Sequence, residues 1–365
     1  MAYDFFTWHC GYCGFKESSH IYYWRCPKCG SPLDIKYEPV WKPRGTGVRR
    51  YSSCLPVKPV KTLGEGATPI IKKKVYGINV WFKLDYLNPT GSFKDRGAAV
   101  SLAYAYLRRF KHVVEDTSGN TGIAVTAYSR LYGMKSIIYM PQTAPRGKKL
   151  LIKSLGGQIV EAKNRGEAAE KVLEEATKKN TFYVAHTWSP LFIEGNTTIA
   201  YEAFEQGFDG TAVILPIGSG GLFLGTYRGF ERLREWGLWK NYLFYIGVQG
   251  YSCQPVYEAL HGHKAKGEDS SLADGIMVPN PPRLSEIVEI IKKNGSIVLV
   301  NNKDIVNSLK KLYKMGFIVE PTSASVVAGL KKALEDGLID RGEDVLTVLT
   351  GSGLKTLTDI ERYVS

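Results

Sequence analysis

One lysine in this chain sits where an amine can act as a nucleophile. In Asn88-Pro89-Thr90-Gly91-Ser92-Phe93-Lys94-Asp95-Arg96-Gly97, Lys94 follows the alternating run 80–86, which reads as a half-buried strand, and precedes 97–107, which is rich in helix formers. Ser92 or Asp95 is placed to cap that helix's first turn. An ammonium beside an opening helix dipole and a second cation such as Arg96 is disfavoured, which suits a neutral amine that attacks a carbonyl. Taken alone, the stretch fits an exposed surface lysine equally well.

Three further turns follow strand-like runs. Thr117-Ser118-Gly119-Asn120-Thr121-Gly122 opens a helix, and Asn120 offers both a donor and an acceptor there, beside helix-start N–H groups suited to a carboxylate. Gly218-Ser219-Gly220-Gly221-Leu222 follows Ala212-Val213-Ile214-Leu215-Pro216-Ile217; its glycines let backbone wrap an anion, so this turn is expected to hold a phosphate. It is not the dinucleotide fingerprint, because Phe223 stands where a third glycine is required. Thr350-Gly351-Ser352-Gly353-Leu354-Lys355 supplies hydroxyls able to bond a neutral ring nitrogen. Each turn alone also reads as a plain strand–helix junction. Together they supply an activated lysine, a phosphate cup and polar ring partners, the parts pyridoxal phosphate requires.

Near the N-terminus, Cys10-Gly11-Tyr12-Cys13 and Cys26-Pro27-Lys28-Cys29 form C-x2-C-x12-C-x2-C, each pair followed by a glycine, Gly14 and Gly30. Four thiolates close a tetrahedron and leave no position for water, which predicts one structural zinc; disulfides and a redox pair are the alternatives. Residues 21–25 between the pairs read as the second strand of a small hairpin.

The elements that must position these groups alternate along the chain. Strands are expected at 113–116, 136–140, 158–161, 182–186, 212–217, 243–248, 296–300 and 345–349, with helices at 121–132, 165–178, 222–235 and 304–314 among the gaps. Such alternation predicts an α/β architecture with largely parallel sheets covered on both faces. Residues 63–70 read as a glycine-punctuated turn leading into that body, and residues 39–62, with Lys42-Pro43-Arg44-Gly45-Thr46-Gly47, as a linker or wrapping arm.

The 365 residues, 44% hydrophobic and 23% charged, can bury a large core divided between lobes. The formal charge of +13 invites a nucleic-acid reading, but the basic residues are scattered along helix-like faces without a dense block, so no nucleic-acid partner is expected. The N-terminus lacks a basic region followed by an apolar run, and no apolar segment approaches the ~20 residues a bilayer needs, so a cytoplasmic protein with no membrane partner is expected.

The four turns, with Pro89-Thr90-Gly91-Ser92-Phe93-Lys94-Asp95-Arg96-Gly97 as the first, resemble the signature set of the tryptophan-synthase-β-like, fold type II pyridoxal-phosphate enzymes, and specifically the threonine synthase family in its archaeal form with an N-terminal zinc ribbon. The resemblance implies a zinc ribbon at 1–38, an arm at 39–62 and a catalytic domain at 63–365, with a smaller lobe at about 98–205 and a larger one from 63–97 and 206–365. It implies that Lys94 carries the cofactor and shuttles protons, that Asn120 meets the ring hydroxyl, that Gly218, Ser219, Gly220, Gly221 and Leu222 bind the cofactor phosphate, and that Thr350 faces the ring nitrogen. Ser92, Ser118 and Thr121 would lie near the substrate, a small amino acid that is phosphorylated in that family; a homodimer is implied as well. The implied reaction converts O-phosphohomoserine and water to threonine and phosphate.

One position departs from the family pattern. Phe192, in Ser189-Pro190-Leu191-Phe192-Ile193-Glu194-Gly195, stands where threonine synthases carry an arginine for the substrate phosphate, a bidentate clamp no aromatic can imitate. Arg146, Lys148 or Lys149 would have to compensate, or the substrate lacks a γ-phosphate. That leaves a serine/threonine dehydratase, or a β-replacement enzyme on O-phosphoserine such as a cysteate or cysteine synthase, as the alternative. From another class, a zinc-ribbon adaptor on an inactive α/β body also accounts for the cysteines and the charge.

Overall fold

The computed structural model describes residues 5–357 and 361; positions 1–4, 358–360 and 362–365, which the sequence-based ribbon and catalytic-domain limits include, lie outside the described residues. Strands among them run β1 (Thr7–His9), β2 (Lys16–Ser18), β3 (Asp34–Lys36), β4 (Ile70–Val75), β5 (Ile78–Lys83), β6 (His112–Asp116), β7 (Lys135–Pro141), β8 (Gln158–Ala162), β9 (Thr181–Tyr183), β10 (Ala212–Pro216), β11 (Phe244–Gly250), β12 (Gly295–Val300) and β13 (Asp344–Val348). Helices run α1 (Lys94–Leu107), α2 (Asn120–Leu131), α3 (Arg146–Ser154), α4 (Arg165–Ala176), α5 (Pro190–Glu205), α6 (Gly221–Glu235), α7 (Pro255–His261), α8 (Leu284–Asn294), α9 (Asn302–Lys314) and α10 (Pro321–Glu335).

The chain forms two compact units. One comprises Met1–Ala67 with Asn88–Thr198, the other Thr68–Leu87 with Ile199–Ser365. The first holds a parallel sheet in the order β8-β7-β6-β9. Its strands β6, β7 and β8 proceed outward in one direction while β9 returns to the other side of β6, so a topological switch point lies between β6 and β9. The second holds β12-β11-β10-β13-β5-β4, parallel except for edge strand β4, with the equivalent switch point between β10 and β13. Every residue of β10 is buried, which is why this strand reads as an unbroken apolar run.

The ribbon belongs to the first unit. Strands β2-β1-β3 pair antiparallel, and Phe6, Trp8, Phe15 and Leu33 join one core with Ala98, Tyr104 and Phe182. Two expectations fail. Residues 21–25 are not the second hairpin strand; that place is taken by β2, pairing Trp8 with Glu17. Tyr22 and Trp24 instead turn to the α/β body, where the Tyr22 hydroxyl donates to the Tyr183 carbonyl and Trp24 packs edge-on against Tyr183 and Trp188, so aromatic burial overrides strand pairing. The second is the turn at 63–70, which gives way to a strand at its last residue. There β4 begins at Ile70, and it meets β5 through Tyr76 and Gly77, both at positive φ (55° and 88°), the geometry of a primed two-residue hairpin turn. Its exposed Lys72, Lys73 and Lys74 hide the strand in the sequence while protecting a sheet edge from further pairing.

Helices α1 and α5 cross closely in the first unit. A Cβ on Gly97 would lie 2.2 Å from the Phe192 ring, and one on Gly195 would lie 2.2 Å from the Arg96 carbonyl oxygen. This contact places Phe192 beneath the first turn of α1.

Candidate active site

Lys94 is the first residue of α1 and is half-buried. Its ammonium lies 4.7 Å from the Phe93 ring centroid and 5.7 Å from that of Phe192. Burial pulls its proton affinity down to about 8, against the upward pull of Glu115 and with a smaller downward push from Arg165. The cause therefore differs from the one read in the sequence: Arg96 is itself fully buried and donates to the Thr198 hydroxyl at 3.0 Å. Nor do Ser92 or Asp95 cap the helix. Phe93 holds the cap position without a side-chain bond, and Asp95 reaches back to accept from the Thr90 backbone N–H at 2.7 Å and from the Thr90 hydroxyl. Ser92 is buried two residues from Lys94, and its hydroxyl has no hydrogen-bond partner.

At the switch point of this sheet, β6 ends in Glu115 and Asp116, and the 117–122 turn starts α2. The Gly119 N–H donates to the Thr117 hydroxyl at 3.0 Å, and Gly119 adopts φ 155°. Its missing Cβ matters, because one would lie 2.2 Å from the side chain of Lys148. Asn120 begins the helix half-buried, Ser118 is half-buried and Thr121 is buried. Of the three cations considered as substitutes for an arginine at 192, Lys148 is thus buried against this turn, Lys149 is bonded to Gln142 O at 2.8 Å and to Glu161 at 2.9 Å, and Arg146 is exposed.

Two residues here were not singled out in the sequence. Glu115 is fully buried and shares a hydrogen bond with the His186 ring at Nδ1, while the His186 backbone N–H approaches it at 3.4 Å. Burial, then Asp116, push the Glu115 carboxyl well up, and burial, then Lys94, push His186 well down. The expected strand 182–186 stops at Tyr183, because Ala185 takes a left-handed conformation (φ 48°) that turns His186 back toward Glu115. The signal available was a pair of carboxylates at the carboxyl end of a strand, directly after the apolar Val113 and Val114. His186 also meets Phe192, with ring centroids 5.9 Å apart, so Phe192 forms a wall shared with Lys94.

In the second unit the 218–222 turn leaves the carboxyl end of β10. Gly220 is left-handed (φ 89°), a Cβ on Gly218 would lie 2.4 Å from the Gly275 carbonyl oxygen, and α6 begins at Gly221 with no side-chain cap. The backbone thus leaves helix-start N–H groups for an anion. Ser219 is half-buried and Leu222 buried. Thr350 follows the neighbouring parallel strand β13, so both groups lie at the carboxyl ends of adjacent central strands of the sheet. Its hydroxyl lies 3.0 Å from that of Ser323, which also accepts from the Gly351 N–H at 3.0 Å. Ser323, on α10, is the partner the sequence did not reveal.

Taken by itself, the first unit offers a lysine of lowered proton affinity near an orphaned hydroxyl, able to form an imine with an aldehyde, and the second by itself offers a glycine cradle with a fixed hydroxyl, able to receive an anion. Separately, the ligand atoms of Cys10, Cys13, Cys26 and Cys29 lie within 4.8 Å of one another, with Sγ–Sγ separations of 3.5 Å for Cys10–Cys29 and for Cys13–Cys26. Such separations are too long for disulfides and close to the edge of about 3.8 Å of a tetrahedron with zinc–sulfur bonds of about 2.3 Å.

Residues 61–351 match the family described as pyridoxal-phosphate dependent enzyme. The chain is 32% identical to threonine synthase of Methanocaldococcus jannaschii, over 90% of this chain and 88% of that one. It is 31% identical to threonine synthase of a Bacillus species, over 84% and 89%. Among solved structures, threonine deaminase isoform 2 from Solanum lycopersicum superposes with a TM-score of 0.65 at 26% identity, covering 80% of this chain and 87% of that one. The chain belongs to the fold type II pyridoxal-phosphate dependent enzymes, in the family that includes the threonine synthases.

Proposed function

We propose that this enzyme acts as a threonine synthase, converting O-phospho-L-homoserine and water to L-threonine and phosphate. The observation that carries the reading is the likeness to threonine synthases across nearly the whole length of both chains. Pyridoxal phosphate, when bound, supplies the electron sink that makes the substrate's Cα and Cβ hydrogens removable. Lys94 would carry the cofactor and, when released from it, move those protons; the lowered proton affinity of its free amine keeps part of it neutral near pH 7. Asn120 orients the cofactor ring through its hydroxyl; Gly218, Ser219, Gly220, Gly221 and Leu222 hold its phosphate. Thr350, aligned by Ser323, would partner the ring nitrogen, and a hydroxyl there would favour elimination and replacement over transamination because it does not hold the nitrogen protonated. Ser92, Ser118 and Thr121 take the substrate's carboxylate or leaving group, with Lys148 as the cation beside the 117–122 turn that holds Ser118 and Thr121.

Phe192 favours a second reading. Its buried ring against Gly97 offers no donor to a γ-phosphate, which suits a dehydratase or a β-replacement enzyme on O-phosphoserine. Assay of the loaded enzyme on O-phosphohomoserine decides: phosphate release with threonine formation supports the first reading, and turnover of O-phosphoserine or threonine without it supports the second.

In this reading the chain comprises ribbon, arm and catalytic body, the ribbon carrying one zinc on Cys10, Cys13, Cys26 and Cys29. Metal analysis should find about one zinc per chain, and a metal-free native protein would refute the site. The enzyme is further read as a cytoplasmic homodimer. No helix among the described residues is long and apolar enough to cross a membrane, and light scattering checks the dimer.

A further inference from the structure

In the proposed reaction Lys94 moves protons on carbon, and the oxygen chemistry calls for a second proton carrier. Whether water adds to the substrate's Cβ, as in the first assignment, or a hydroxyl leaves it, as in the second, a proton must leave or join an oxygen at Cβ. The Glu115–His186 pair has no part in the steps given to Lys94, and it lies close to that lysine.

Strand β6 delivers Glu115, fully buried, and the left-handed Ala185 (φ 48°) turns His186 back so that its Nδ1 is bonded to that carboxyl. A strained backbone position that serves one side-chain contact is a mark of function rather than of packing. The other ring nitrogen, Nε2, makes no hydrogen bond with a described residue, and 13% of the side chain stays open. His186 and Lys94 meet the same Phe192 ring, at 5.9 Å between ring centroids and 5.7 Å from the ammonium. Phe192 offers neither donor nor acceptor, which leaves proton chemistry on that ring to the two nitrogens. The other titratable groups around the pair have different work. Asp116 accepts from the Tyr183 hydroxyl at 2.5 Å, the Tyr22 hydroxyl donates to the Tyr183 carbonyl, and Arg165, at the start of α4, pushes protons off both Lys94 and His186.

We propose that His186 is the acid–base residue for the oxygen at the substrate's Cβ, and that Glu115 is the positioning residue that holds its ring and exchanges a proton with it. The inference rests on the reading that Lys94 works on an amino acid bearing or gaining oxygen at Cβ. In the adding direction, an O–H bond of water breaks and its proton goes to Nε2. The oxygen's electron pair bonds Cβ, and the pair displaced there moves toward Cα. The Nδ1 proton passes to Glu115, so the ring ends neutral. In the leaving direction the steps reverse, and the departing hydroxyl takes the Nε2 proton. Burial, then Lys94 and Arg165, hold His186 well below the usual imidazole range, while burial, then Asp116, hold Glu115 well above the usual carboxylate range. The surroundings therefore favour a neutral ring beside a protonated carboxyl, the state the adding direction ends on.

The test uses the full-length protein loaded with pyridoxal phosphate, with O-phosphohomoserine, threonine and O-phosphoserine as probes, and follows phosphate, threonine and 2-oxo acid separately. On O-phosphohomoserine, His186→Ala should form threonine roughly 10²-fold more slowly and yield less threonine per phosphate released, because the water step follows those of Lys94. On threonine, kcat should fall by a like factor with little change in KM. Imidazole in the medium should restore part of either rate. Glu115→Gln, of nearly the same shape, should lower kcat roughly tenfold or more and flatten the rise with pH that wild type shows as the pair loses its excess proton. In cofactor-free protein, nitrogen NMR should find the His186 ring neutral at pH 7, with its signals moved by Glu115→Gln. An unchanged threonine-to-phosphate ratio together with an effect on threonine confined to KM, an unchanged pH profile in Glu115→Gln, or an imidazolium at pH 7 would each overturn the proposal. So would losses in His186→Ala and in the bulkier His186→Gln that merely track a lowered melting temperature. A wild type inert toward all three probes refutes the underlying reading and this assignment with it, whereas an active wild type matched by its variants refutes the assignment alone.

Discussion

Both α/β units place their candidate groups at a sheet switch point, yet they build them from different materials. In the first unit the groups are side chains: Lys94, Glu115 and His186 are held by burial and by one another, and their protonation responds to the surroundings. In the second unit the groups are mostly backbone, with a left-handed Gly220, a Gly218 pressed against Gly275 and a helix start, fixed further by one hydroxyl pair. The difference teaches where each half is vulnerable. Removing or recharging a side chain should damage the first, whereas adding a single Cβ should damage the second.

The largest effect tests the side-chain half. Lys94→Ala should abolish the visible absorbance of the protein mixed with pyridoxal phosphate and lower turnover by roughly 10²–10⁴-fold; an unchanged spectrum would remove Lys94 from its assigned role. Next comes the backbone half. Gly220→Ala forces an alanine into a left-handed conformation, costing roughly 1–2 kcal/mol, and drives its Cβ to 2.3 Å from Ile287. It should weaken binding of pyridoxal phosphate about tenfold or more while binding of pyridoxal, which lacks the phosphate, changes little. Equal losses for both ligands would show that the turn does not read the phosphate.

A smaller effect is expected from Thr350→Ala, which deletes one partner of the Ser323 pair and should cost about 0.5–1.5 kcal/mol in cofactor affinity, read by equilibrium titration with no change in how Lys94 titrates. The pH response sharpens the contrast further. In cofactor-free protein, the rate at which Lys94 captures pyridoxal phosphate should rise with pH through a midpoint near about 8 and level off above it, as Lys94 becomes mostly neutral. A lysine of ordinary affinity would continue rising to about 10.4. Because the folded value lies below the unfolded one, the fold also gains stability as pH rises from about 8 toward 10.5. The smallest shift should come from Arg165→Gln, which removes a cation that lowers the Lys94 value and so moves the plateau upward.

Family membership displaces the adaptor reading, and with it the idea that the cysteines and the charge define the protein. The glycine turns were legible because a left-handed Gly220 and a Gly218 pressed against the Gly275 carbonyl need residues without a Cβ, and that requirement is written in residue types. Strand β4 was not, since its three lysines answer to an exposed edge rather than to a buried face. Residues 21–25 misled for the opposite reason: their aromatic and β-branched types suit a strand, but Tyr22 gains more by packing on Phe110 and Phe182 and bonding the Tyr183 carbonyl, and Trp24 by packing on Tyr183 and Trp188.

By itself the sequence determined the α/β alternation, the four-cysteine spacing, the lysine and the two anion-ready turns, because each depends on local residue types and short-range geometry. The tertiary structure decided what perturbs Lys94. Burial and Glu115 come from strands and loops folded against α1, replacing the neighbouring Arg96 that proximity in sequence had suggested. It also decided that Phe192 forms a wall beneath Lys94, since the close crossing of α1 and α5 depends on Gly97 and Gly195 meeting partners about a hundred positions away, a contact that no local pattern records.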